Sequence, residues 1–309
     1  MQSIKKNIAP AKLKIKTFEA APDDFDPSTA SKTTLMRHGI APKPDKEKDP
    51  KLFAAWQKVY SKKLKHIVPE FVENKTKRHR PTQHLKNLKN GTSTSTNWSG
   101  MAVFPTTGDK FKWVIGNWIV SDPNQPASLP TGQWYYSSAW IGIDGWNSND
   151  VLQAGTDADV LVQNGVTHKQ VSAWWEWFPD YSVTINNFPV VSGDYMTCLI
   201  CSTGANTATI YLTNVSTGTH TSFQITAPSG IALKGNCAEW IVEAPTVNGG
   251  QSALANYGAT FFDECYAYTQ NNVKADAGTG TAVNMVNSSN QVISQTAIEG
   301  AEIFKDSFV

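Results

Sequence analysis

No run of about 18 consecutive apolar residues occurs in the 309-residue chain, so no helical membrane span is expected. The opening MQSIKKNIAPAKLKIKTF has early lysines but no continuous apolar stretch, so no signal peptide is legible. Neither G-x-S-x-G nor H-E-x-x-H is present, and no glycine-rich phosphate cradle is found. A Ser-His-Asp arrangement could draw only on His168 and His220 in the later part of the chain, both beside turn-like strings. Cysteine is scarce, at Cys198, Cys201, Cys237 and Cys265. The C-x-x-C spacing in TCLIC is half a zinc ribbon without a second half. Buried free thiols are expected there rather than a metal, with a disulfide to Cys237 or Cys265 left open. No metal and no cofactor are expected.

Arginine is absent after Arg80, and that absence marks a division of charge. Residues 1–90 hold 21 Lys and Arg against 9 Asp and Glu, whereas the whole chain is nearly neutral at +1. Everything after residue 90 is therefore strongly acidic. Four of the six histidines, His38, His66, His79 and His84, also lie in the basic part. Such halves attract at neutral pH and let go as carboxylates protonate. The plainer alternative is a solvated basic arm, of the kind that meets nucleic acid.

Residues 1–48 are rich in Lys, Pro and Asp with little periodicity, and read as mostly extended or disordered. Asp49-Pro50 then looks like an N-cap followed by proline at the first helical position. After it, Leu52, Phe53, Trp56, Val59, Tyr60, Leu64 and Ile67 share one helical face, which predicts an amphipathic helix over about 50–67 that must dock on something. The basic, then Ser/Thr-rich segment 75–96 reads as an exposed linker open to proteolysis. From Asn97 onward the texture changes to short runs of Val, Ile, Thr, Tyr and Trp broken by Gly, Asn, Pro and Ser. That spacing predicts an all-β antiparallel sandwich or barrel over 97–309, behind a basic, partly helical region over 1–96.

Within that region VSAWWEWFPDYS (171–182) sets one carboxylate, Glu176, among Trp174, Trp175, Trp177 and Phe178. Desolvating an ionised acid costs several kcal/mol (about 3–5 when its partner is removed), so the site needs a reason. In a strand, Trp174, Glu176 and Phe178 share one face, and Trp175 and Trp177 the other. An acid between two rings on one surface is what a substrate groove requires.

Four blocks occur in order: NWSG (97–100), AWIGIDG (139–145) with VLQAGTD (151–157), AWWEWFPDYS (173–182) and AEWIVE (238–243). Together they resemble the glutamic peptidases of the eqolisin family, from about Asn97 to the C-terminal FKDSFV. The resemblance implies a concanavalin A-like or jelly-roll β-sandwich and acid endopeptidase activity on protein or peptide substrates. It implies Gln153 and Glu239 as the catalytic pair, with Trp98, Trp140, Trp174, Glu176, Phe178 and Ile241 lining the cleft and Asp144 supporting it. It also implies synthesis as a zymogen, so residues 1–90 are expected to act as an intramolecular inhibitor over the acidic cleft, with cleavage between about 74 and 96. An extracellular or other acidic compartment and a monomer follow as expectations. This chain departs from the fungal pattern by lacking cysteines around Gln153, and by carrying Phe178 where tyrosine is commoner.

The roles fit the side chains. An amide NH₂ donates to a carbonyl and to the oxyanion formed on attack. A carboxylate takes a proton from the attacking water and returns it to the leaving nitrogen. Burial beside Trp240 and hydrogen bonding pull the pKa of Glu239 in opposite directions. The competing reading is a carbohydrate-active or lectin-like sandwich, with Glu176 paired to Glu239 or Glu243.

Overall fold

Alternating apolar and polar residues after Asn97 suit the pleat of half-buried strands, and β-branched and aromatic side chains pack there better than on a helix. The computed structural model describes residues 13–61, 63–82, 86–87 and 92–309. In its N-terminal part lie β1 (Ile15–Thr17), α1 (Lys32–Arg37), α2 (Pro50–Tyr60), β2 (Lys65–His66), β3 (Phe71–Asn74) and β4 (Thr92–Ser95). Then follow β5 (Trp98–Val103), β6 (Phe111–Ile119), β7 (Ser138–Asp144), β8 (Val151–Gln163), β9 (Val166–Phe178), β10 (Ser182–Ile185) and β11 (Tyr195–Gly204). The main strands end with β12 (Thr207–Asn214), β13 (Thr219–Thr226), β14 (Ala238–Glu243), β15 (Ala259–Thr269), β16 (Thr281–Val286), β17 (Val292–Ile298) and β18 (Phe304–Phe308).

Their pairing builds two layers. The front layer runs β4-β16-β5-β14-β7-β8-β9-β10-β3. The back layer runs β18-β15-β6-β11-β12-β13-β1, and β17 joins the two by pairing with β16 and β18. Pairing is antiparallel except for β4 on β16 and β2 on β13. Ile141, Leu152, Trp175, Trp177 and Trp240 of the front layer meet Trp118, Ile200, Ile210 and Phe223 of the back layer in one core. Aromatic side chains of that size each bury roughly 150–250 Å², which makes them the main stabilising contribution. Two of their polar tips are satisfied: Trp240 donates to the carbonyl of Ile115 at 2.7 Å and Trp118 to the hydroxyl of Thr156 at 2.9 Å.

The N-terminal part departs from expectation in three ways. Residues 13–48 are not structureless: β1 extends the edge of the back layer, and Leu35, Ile40 and Ala41 are buried with Trp56, Val59, Tyr60 and Leu64. Apolar residues isolated among lysines and prolines give no periodic signal, so this mini-core is invisible to pattern reading. Residues 1–12 lie outside the described ones. Helix α2 starts as expected, with the Asp49 side chain accepting from Leu52 N at 3.0 Å, but it ends at Tyr60 rather than about 67. Residues 65–66 instead add a short parallel strand beside Thr219 and His220, and Pro69 disfavours helix just ahead of it.

Helix α2 also sits on the far side of the sandwich from the predicted cleft, against Leu199 and Tyr211 on the outer face of the back layer. Lys58 reaches Glu264 at 3.0 Å and Lys51 reaches Glu302 at 3.2 Å. At this seam the His66 and His220 rings meet edge to face at 5.0 Å, with Tyr60 against His220 at 5.6 Å. The four cysteines are free, three of them fully buried. In the third departure, the chain continues from β3 across the outer face of the front layer instead of leaving as a linker.

Candidate active site

Strand register sets the geometry of this face. Gln153 pairs with Glu176 on one side and Gly142 on the other, and Gly142 pairs with Glu239. Residues directly paired across a sheet point to the same side. Glu176, Gln153, Gly142 and Glu239 therefore form one row across four strands, facing away from the core. Gly142 has no side chain, so the row carries a gap between the amide and the carboxylate. Two strand spacings, roughly 9.5 Å, separate their backbones. A Cβ built at Gly142 would lie 3.1 Å from Glu239 Oε1 and 2.9 Å from the ring of Trp140. The gap exists because residue 142 is glycine.

A second row, two residues along, surrounds the first with rings. Trp174, Trp140, Ile241, Trp98 and Val151 form a buried cluster separate from the main core, with Phe178 packed against it. Trp98 and Trp140 meet edge to face at 5.0 Å. Trp174 donates to Ser138 Oγ at 3.0 Å and Trp140 to Glu243 Oε2 at 3.0 Å. All the groove residues expected from sequence thus come together on one surface. Asp144 lies on the same face but turns to the backbone, accepting from Lys234 N at 2.7 Å and Asn236 N at 2.9 Å. It ties down the loop that leads into β14, and so positions Glu239 rather than lining the groove. Its φ of 71° is the left-handed geometry that aspartate tolerates better than most residues.

The groove is occupied by the chain itself. Residues 77–82 cross it, contrary to the expectation of an exposed linker over 75–96, of which 83–85 and 88–91 lie outside the described residues. Gln153 Nε2 donates to the main-chain carbonyl of His79 at 2.6 Å. The amide N–H of His79 donates to Glu176 Oε2 at 2.9 Å, and that of Arg80 to Glu243 Oε1 at 3.0 Å. Trp98 Nε1 donates to the Arg80 carbonyl at 3.0 Å. The imidazole of His79 stacks on Trp174 at 3.5 Å between ring centres, 5° from parallel. Its two nitrogens lie 3.1 Å from Glu176 Oε2 and 3.1 Å from Asp157 Oδ1. Lys77 fills the next position, 3.0 Å from Asp157 Oδ2 and 2.6 Å from Asp159 Oδ2.

These contacts explain how charges are buried here. Lys77 is 5% exposed and His79 fully buried, yet each meets carboxylates that compensate its lost hydration. Burial alone would lower the His79 pKa, but Asp157 and Glu176 beside it raise it to about 9. Burial would likewise lift Asp157; Lys77 and His79 overcome that and hold its carboxyl well below the usual range. Asp159, less favourably placed, is pushed up to about 7 by burial. Burial raises Glu243 to about 8 and shifts Glu176 upward, the latter opposed by its bonds to His79. Burial also lifts Glu239 well above the usual carboxylate range, opposed by the Cys237 thiol and reinforced by Asp144 and Asp150.

Asp157 and Asp159 are missed by the sequence reading, and Glu243 enters it only as a carboxylate of the competing carbohydrate reading, although period two from Gln153 and Glu239 puts all three on this face. The strings GTDAD and IVE carried that signal. Lys77 and His79 carried none, because basic residues in a polar segment ordinarily face water.

The fold is thus all-β in two packed layers, with a ring-lined trough that holds a peptide segment across an amide and a carboxylate. The chain belongs to the Peptidase A4 family, whose profile matches residues 96–306. It is a glutamic-type endopeptidase. Aspergillopepsin-2 from Aspergillus niger is 25% identical over 232 residues, covering 69% of this chain and 79% of the relative. Scytalidopepsin B from Scytalidium lignicola is 27% identical over 158 residues, covering 51% of this chain and 54% of that one. The same fold occurs in scytalido-glutamic peptidase solved with a transition state analog inhibitor, at a TM-score of 0.58 and 22% identity over 69% of this chain and 98% of the other. Aspergilloglutamic peptidase from Aspergillus niger superposes at a TM-score of 0.51 with 24% identity, over 57% and 99% of the two chains. Membership of a peptidase family does not favour the carbohydrate reading.

Proposed function

We propose that Glu239 and Gln153 are the catalytic pair of this acid endopeptidase, with water as the nucleophile. One observation carries this reading above the others: the two side chains share a row on either side of Gly142, and the Gln153 amide already holds a peptide carbonyl at 2.6 Å. In the reaction, water sits between Glu239 and the carbonyl carbon. Glu239 accepts a proton as the water attacks, Gln153 donates to the oxyanion, and Glu239 then passes the proton to the departing nitrogen. Trp98, Trp140, Trp174, Phe178 and Ile241 wall the groove, Glu176 and Glu243 grip backbone N–H groups, and Asp144 steadies the strand bearing Glu239.

Residues 1–96 act as an inhibitory pro-region, and the working enzyme is a monomer in an acidic compartment outside the cytosol. Inhibition is steric at residues 77–82 and also electrostatic. A covered, dehydrated groove keeps Glu239 protonated, and a protonated carboxyl cannot accept the proton of water. Acid weakens docking at Asp157, which Lys77 and His79 hold ionised, and at the buried His66 and His220 of the far seam; water enters, and the segment is cut. The test is incubation of purified full-length protein at about pH 3–4, the ordinary carboxylate range, followed by assay on an unfolded protein. Shortening of wild type with the appearance of activity is expected, together with an inert Gln153→Ala variant. A wild type that stays intact and inactive contradicts the zymogen reading, and an active Gln153→Ala contradicts the pair.

A further inference from the structure

We infer that the His79–Arg80 peptide bond is the first bond this enzyme cuts, in its own chain; this rests on the catalytic pair proposed above. The segment does not merely cover the groove but is held by four successive backbone groups. His79 N–H goes to Glu176, His79 C=O to Gln153, Arg80 N–H to Glu243, and Arg80 C=O to Trp98. That grip fixes the plane of one peptide unit, His79–Arg80, and its carbonyl is the one placed on the amide donor. The gap left by Gly142 separates that donor from Glu239, so the carbonyl carbon of residue 79 is the electrophile presented to the carboxylate.

Side chains lock the register. The His79 ring lies flat on Trp174 between Glu176 and Asp157, and Lys77 is anchored between Asp157 and Asp159. A slip of one residue would bring Arg78, which lies over Tyr181 at 4.0 Å, into the imidazole's slot and pull Lys77 from both carboxylates. Beyond the bond, Thr82 N donates to Gly145 O at 3.1 Å and holds the other side of the segment. The step is an ordinary hydrolysis. Water adds to the carbonyl carbon of His79 and the C–N bond to Arg80 breaks. The new carboxyl stays on His79, and the amine of Arg80 leaves with the proton carried by Glu239.

The test follows full-length wild type at about pH 4, chosen to sit in the carboxylate range, by time-resolved mass spectrometry, with an added unfolded protein as a parallel substrate. The expected first products are fragment 1–79 and a partner beginning at Arg80. Their rate constant should not change on tenfold dilution, since the bond is presented within the same molecule. A synthetic peptide of residues 75–82 given to the processed enzyme should also be cut between His79 and Arg80. Cleavage of the added protein together with a first cut elsewhere overturns this assignment and leaves the catalytic pair standing. No cleavage of either substrate overturns the pair, and the assignment with it.

Discussion

Gln153 donates its side-chain amide to the main-chain carbonyl of His79, 74 residues earlier in the chain, at 2.6 Å. One side chain predicted to stabilise an oxyanion thus meets a peptide carbonyl, and the partner carboxylate, Glu239, lies in the same row across a glycine. Replacing Gln153 by alanine should lower kcat on a peptide substrate by about 10²–10³-fold, the usual cost of one such donor. KM should change far less, which steady-state kinetics on the processed enzyme will separate.

Gly142 to alanine is a test of the gap itself. The added methyl meets the Leu152 carbonyl and the Trp140 ring at 2.9 Å and Glu239 Oε1 at 3.1 Å. The backbone must shift, at a cost of about 1–3 kcal/mol for overpacking. The variant should keep the β-rich circular dichroism spectrum with a lowered Tm, and lose most of its peptidase activity.

Lys77 to alanine removes the cation from between Asp157 and Asp159 and leaves buried carboxylates without it. Breaking a buried pair costs ~3–5 kcal/mol. The 77–82 segment should then release at higher pH than in wild type. Loss of full-length protein on gels across a pH series reads the shift directly.

The seam on the far side of the sandwich adds its own pH dependence. Burial holds His220 down to about 3 and His66 to about 4, with the two rings facing each other and His38 adding to the effect on His66. Tyr60, Thr213, Thr221, Ser222 and Glu19 also lie around the seam; Thr213 Oγ1 lies 2.8 Å from His220 Nδ1. The docked state binds fewer protons than the released one. Docking stability is therefore complete above the unperturbed histidine pKa of about 6.5 and is lost as pH falls towards 3–4. His79 works in the opposite sense, since its raised pKa favours docking below neutrality, while Asp157 withdraws that support at the acid end. His220→Asn should move the midpoint of release to lower pH and leave the activity of the processed enzyme unchanged. An unmoved midpoint excludes this contribution.

Much of the front layer could be read from the chain because period two is a local signal. Period two puts Trp174, Glu176 and Phe178 on one face; that Trp98, Trp140 and Ile241 join Trp174 in one buried cluster is expected only from the family resemblance. What locality could not supply was pairing. That Gly142 sits between Gln153 and Glu239 depends on register among strands far apart in sequence. The end of α2 at Tyr60 depends on Lys65 and His66 finding the edge at Thr219 and His220. The segment over 77–82 reads as a solvated linker because Lys77 and a charged His79 are costly to bury alone; carboxylates from β8 and β9 reverse that preference, and none of them is nearby in the chain.

The most direct test of the central claim is the rate of peptide cleavage by the Glu239→Gln variant, freed of residues 1–96 and measured beside wild type at about pH 4. The substitution keeps shape and hydrogen bonding and removes the carboxylate that moves the proton. A fall of roughly 10²–10⁴-fold in kcat, with the fold intact, is the predicted result. A variant that cleaves at the wild-type rate contradicts the account.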